Sequence, residues 1–144
     1  MTPSRILPDL QCSILCEDVR QETSGNFIHI GVVNYIRVPQ LPVTAIKLCL
    51  FNRWTAGFGQ FHESVRLVAP DQTTVLCKSE MKFALQDVVH NTTTVTVWSP
   101  IKFEAVGAYY IEVSVDDVMK LRFPLVIIVV PPEQRPDAGQ KKTP

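Results

Sequence analysis

Residues 108–116 read AYYIEVSVD, and their spacing decides the fold. Tyr109, Ile111, Val113 and Val115 alternate with Tyr110, Glu112, Ser114 and Asp116. A period of two belongs to a strand, and one apolar side against one polar side describes an antiparallel strand with a wet face. The pair Asp116-Asp117 follows, between two strand-like runs, and suits a tight hairpin.

Outward from there the same period recurs. Phe27–Val33 sets Ile28, Ile30 and Val32 on one side, with His29 and Gly31 on the other. Ala45–Trp54 sets Ile46, Leu48 and Leu50 against Lys47, Cys49, Phe51 and Arg53. Further strands are predicted at Gln11–Val19, Gln60–Ala69, Thr74–Phe83, Thr93–Ser99 and Leu125–Val130. Ser24-Gly25-Asn26 and Pro70-Asp71 carry turn chemistry, and Pro39 and Pro42 make a stiff crossover. No apolar stripe at helical spacing persists for three turns; the nearest, Lys82–His90, is read as a single helical turn. The expected fold is an all-β antiparallel sandwich of about eight strands. A chain of 144 residues is the size of one domain, here residues 11–130. Residues 1–10 form a lead-in. The polar, proline-rich residues 131–144 cannot pack a core and are read as a disordered tail.

Composition narrows the functions. Fourteen basic residues balance fourteen acidic ones in scattered positions, which argues against nucleic acid or an anionic membrane as partner. The N-terminal residues lack the basic-then-apolar pattern of a secretory signal. The most apolar window, Leu121–Val130, is interrupted by Arg122 and Pro124 and falls short of the about 20 residues that span a bilayer. A cytoplasmic location is expected, with Cys12, Cys16, Cys49 and Cys77 as reduced, structural thiols.

Four groups of residues are candidate sites. The last strand, LVIIVV, is apolar on both faces, so Val126, Ile128 and Val130 make a candidate association surface. A second copy would cover them face to face or by pairing across an edge, and a homodimer is expected. Arg53, Trp54, Phe58 and Phe61 cluster about one turn, either closing an end of the core or forming a loop patch. Cys16, Glu17, Asp18 and Arg20 combine a thiol, carboxylates and a guanidinium. A nucleophilic cysteine needs a base and a stabilised thiolate. His29, His62 and His90 lie on separate segments, and the carboxylates oppose ionisation of the thiol, so a surface Asp18–Arg20 pair is the preferred reading. Asp116-Asp117 could join a calcium cluster, but calcium wants six to eight oxygens and few carboxylates lie nearby. No cofactor or metal is expected. The function expected is that of a non-enzymatic sandwich acting through protein association. The alternatives are a small-ligand binder or enzyme centred on Cys16–Arg20, and a calcium-dependent membrane-docking sandwich.

The segments ILCEDVRQE (14–22), GNFIHIGVVNYIRVPQLP (25–42), KLCLFNRW (47–54) and FEAVGAYYIEVSVDD (103–117) together resemble a family of small bacterial β-sandwich proteins of unknown function. The resemblance covers about Ile14 to Val130, with CEDVR, GxFxxIGV and VPQLP its most specific parts. It implies a bacterial source, an intracellular domain and an immunoglobulin-like sandwich, and brings no activity with it. Within it Glu17, Asp18 and Arg20 are either functional or tie the first strand to the Gly25–Asn26 turn.

Overall fold

The structure, a computed structural model, describes residues 5–130. Nine strands follow one another: β1 (Asp9–Gln21), β2 (Phe27–Val32), β3 (Ile36–Val38), β4 (Val43–Thr55), β5 (Gly59–Val68), β6 (Val75–Leu85), β7 (Asn91–Phe103), β8 (Gly107–Val115) and β9 (Val118–Val129). They form a four-stranded sheet ordered β2-β1-β4-β7 and a five-stranded sheet ordered β3-β9-β8-β5-β6. The all-β sandwich is as expected. The tail at 131–144 lies outside the described residues.

Two expectations need correction. The ninth strand is β3, and it runs parallel to β9, with Ile36 beside Ile127 and Val38 beside Val129. Three residues are too few to show a period, and their partner lies at the far end of the chain. Lys82–His90 is not helical: β6 continues to Leu85. A tight turn follows, in which the His90 amide donates to the Asp87 carbonyl at 3.0 Å.

The alternating side chains build the core as their period requires. Tyr109, Ile111, Val113 and Val115 of β8 are buried against Leu48, Leu50 and Trp54 of β4 and Val65 and Leu67 of β5. Burying each large aliphatic side chain contributes about 1.5–3 kcal/mol. On the other face of β8, Glu112, itself buried, bridges Arg66 at 2.6 Å and Arg122 at 3.3 Å, across three adjacent strands. Asp116 and Asp117 both have positive φ, 47° and 65°, the geometry of a two-residue hairpin between Val115 and Val118.

The two sides of the sandwich differ. On one, β7 meets β6, and Trp98 donates its indole N–H to Ser79 Oγ at 2.9 Å. On the other, β2 and β3 end their sheets. β1 serves two ladders: it pairs with β4 up to Cys16↔Cys49 and with β2 from Cys16↔Val32 onward.

Candidate functional site

The polar stretch is divided by this changeover. Cys16 is fully buried, with its thiol 3.7 Å from the Cys49 carbonyl oxygen. The Cys49 thiol in turn lies 3.6 Å from the Glu17 carbonyl oxygen. Burial pushes both thiols above their ordinary pKa, which works against a nucleophile. Asp18 turns outward, 3.1 Å from the Arg20 guanidinium and 3.6 Å from the Lys47 ammonium. The hydrogen bond from Arg20 holds its carboxyl below the usual range. Glu17 sits apart, its carboxyl end over Gly31, whose φ of +66° is the left-handed region that favours glycine. Glu17 lines a cleft of about 640 Å³ with Lys47, Tyr35 and Arg37, whose guanidinium stacks 4.2 Å from the Tyr35 ring. Cys16 does not reach this cleft. Among the described residues no histidine bonds to Cys16 or Asp18. The fold therefore does not assemble the four residues into one site.

The loop patch is not a patch. Trp54 and Phe61 are buried, stacked on or tilted against Phe83 at centroid distances of 5.5 and 5.6 Å. Arg53 bonds Thr93 Oγ1 at 3.3 Å, and only Phe58 is exposed, its backbone paired with that of Ile6. The aromatics close an end of the core because the chain before β1 covers them. Arg5 lies over the Phe61 ring and pairs with Asp116, holding the Asp116 carboxyl below its usual pKa. Asp116 Oδ1 also accepts the His62 amide at 2.9 Å. Its oxygens are thus committed to β5 and to the chain before β1. Among the described residues no three His, Cys, Asp or Glu side chains converge as a metal site.

In β9, Leu125 and Ile127 enter the core while Val126 is 38 % exposed and Ile128 is half-buried, as is Val130 just beyond the strand. The strand has β8 on one side, and on the other β3 covers Ile127–Val129, so those three residues do not pair across a free edge. A face remains.

A larger apolar face lies elsewhere. In β2, Ile28, Ile30 and Val32 are 41, 37 and 63 % exposed, although their alternation suggested a buried side. The reason is on the strand's other side. Cys16, Cys49 and Phe51 are buried outside the main core, on the face of β4 opposite Leu48, Leu50 and Trp54. The rings of Phe27 and His29 close edge-on over Phe51, at centroid distances of 5.3 and 4.3 Å. That turns the aliphatic side of β2 to solvent. His29 Nε2 is buried in this contact without a hydrogen-bond partner among the described residues.

One buried polar cluster was not foreseen. Glu63 is 1 % exposed, and its Oε2 accepts the Trp54 indole N–H at 2.6 Å, the Thr94 hydroxyl at 2.7 Å and the Asn52 amide at 3.2 Å. These bonds join β5 of one sheet to β4 and β7 of the other. The signal was present: Glu63 occupies an apolar phase, in step with Phe61, Val65 and Leu67. A carboxylate so enclosed by neutral donors ties the sheets together and has no substrate path.

Among the described residues no helix is long and apolar enough to cross a membrane. Comparison with curated proteins finds no match. The model of DUF6941, a family of unknown function, matches residues 11–128, and the chain belongs to that family.

Proposed function

We propose that this protein is a non-enzymatic association module of the bacterial cytoplasm with an immunoglobulin-like fold. The observation that carries the association reading is the exposed aliphatic row Ile28, Ile30 and Val32 on a strand that ends its sheet. Exposed apolar side chains beside unpaired backbone groups are what strand addition uses. The separation of Cys16, Glu17 and Asp18 supports a role without catalysis. The four thiols, all unpaired, suit a reducing compartment. Two features support the immunoglobulin-like assignment. β4 neighbours β7 in one sheet while β5, β8 and β9 are adjacent in the other, which matches the B–E and C–F–G neighbours of that fold. Near the start of β8, the Tyr109 hydroxyl donates to the Ala105 carbonyl at 2.7 Å, as in its tyrosine corner.

The test is a photoreactive residue at position 30, in cells making the full chain, with position 104 as an exposed control. A discrete adduct at 30 and none at 104 is expected. No adduct at 30 or at 126 overturns the reading.

A further inference from the structure

Four strands end the two sheets, and three of them are guarded. β6 carries Lys78, Glu80 and Lys82, charges of the kind that discourage edge pairing. β3 is three residues long and carries Arg37. β7 has no charge along Asn91–Ser99 but turns its edge to β6, where Trp98 bonds Ser79. β2 has none of these devices beyond the kink at Gly31. From Thr23 to Ile36 there is no Asp, Glu, Lys or Arg, and the His29 ring is turned onto Phe51.

We infer, resting on the association reading above, that the occupant of this edge is a second copy of the chain, its β2 antiparallel to the first across a two-fold axis within the strand. Charge selects that occupant. Beside it, Asp18 and Arg20 on β1 are paired with each other and Asp18 with Lys47, while Glu17 over Gly31 shares its cleft with Lys47 and Arg37, so the edge offers no net countercharge to an acidic or basic peptide. A second copy brings the same uncharged row, and no like charges are set opposite one another. The Ile28, Ile30 and Val32 side chains of both copies then lie on one face, and backbone bonds across the axis join two four-stranded sheets into one of eight strands. The same strand in both subunits closes the assembly at two copies. Six residues a side make an interface below the about 1,200 Å² of standard complexes, so dissociation in the micromolar range is expected.

The experiment combines light scattering and amide hydrogen exchange on the full chain, from about 1 μM to about 0.5 mM, a range that brackets such constants. The mass should rise from 16.2 kDa towards twice that value, with exchange at Phe27–Val32 slowing at the higher concentration. Ile30→Lys should stay at the mass of one chain and keep the wild-type melting temperature. A wild type of single-chain mass throughout overturns self-pairing; an adduct of another mass at position 30 would then leave the association reading standing with a different partner. A dimer with unchanged β2 exchange, dissociated by Val126→Lys, overturns it in favour of β9. Should Ile30→Lys fail to fold, exchange in the wild type decides alone.

Discussion

β7 and β2 are the two ends of one sheet, and along the stretches that form the ends both are uncharged. β7 is closed, because the edge of the other sheet meets it and Trp98 reaches across to Ser79. β2 has its aromatic side folded over Phe51 and its aliphatic side in solvent. The difference teaches that lack of charge on an edge is not itself a sign of binding. An uncharged edge is unremarkable where the fold supplies a cover; where it does not, the missing charge has a meaning.

The largest effect expected on that contrast comes from the closed side. Trp98→Ala should cost about 3–5 kcal/mol in urea unfolding, as a large buried aromatic does. A loss below about 1 kcal/mol would show that the seam does not hold the sandwich shut. Next comes Glu63→Leu, which strands three donors and should cost about 3 kcal/mol or more, with Glu63→Gln recovering part of it. On the open side, Ile30→Lys should change stability by no more than about 0.5 kcal/mol, because the side chain is 37 % exposed. A cost of several times that would mean β2 presents its aliphatic row inward, and the contrast would collapse.

A chemical probe sharpens the comparison. Because burial raises their pKa values, Cys16 and Cys49 hold less thiolate at a given pH and should be alkylated slowly, faster as pH rises. Peptide mass analysis should find Cys12, which is less buried, modified before either. Early labelling of Cys16 would place the β1–β2 hairpin among the readily opening parts of the molecule.

The smallest effect is expected in the turn between β5 and β6. Asp71, whose carboxylate accepts the Thr74 hydroxyl at 2.6 Å and the Thr73 and Thr74 amides, has a pKa lowered from 3.8 to about 2. Its folded value lies below its unfolded one, so its contribution is complete above pH 3.8 and is lost as pH falls towards 2. Asp71→Asn should slightly lower the melting temperature at neutral pH and flatten its decline across that acid interval.

The first arm and the turn of the β8–β9 hairpin were legible, since Tyr109–Val115 alternates cleanly and Asp116-Asp117 carries its own turn chemistry; the second arm, expected only at Leu125–Val130, begins at Val118. What alternation could not supply was direction. It separated Ile28, Ile30 and Val32 from Phe27 and His29 but gave no hint that the second group covers a neighbouring ring. The same limit hid the fate of Trp54 and Phe61, which depends on the chain around Ile6 crossing beneath them. For the polar stretch, parity paired Asp18 with Arg20 correctly, while the burial of Cys16 against Cys49 depended on the β1–β4 register. The two readings of Leu125–Val130 divide in the same way: two apolar faces were visible, and the short parallel cover from β3 was not.

That cover has a consequence for the order in which the molecule can be completed. Ile36–Val38 leaves the ribosome early, yet its partner, Ile127–Val129, is among the last residues described. A nascent chain can close the β1–β2 hairpin from local contacts, but the five-stranded sheet must wait for β9. Throughout that interval the uncharged run Thr23–Ile36 is already made and has only β1 to pair with. Chains elongating side by side on one message would thus present this segment to one another before either sandwich is finished.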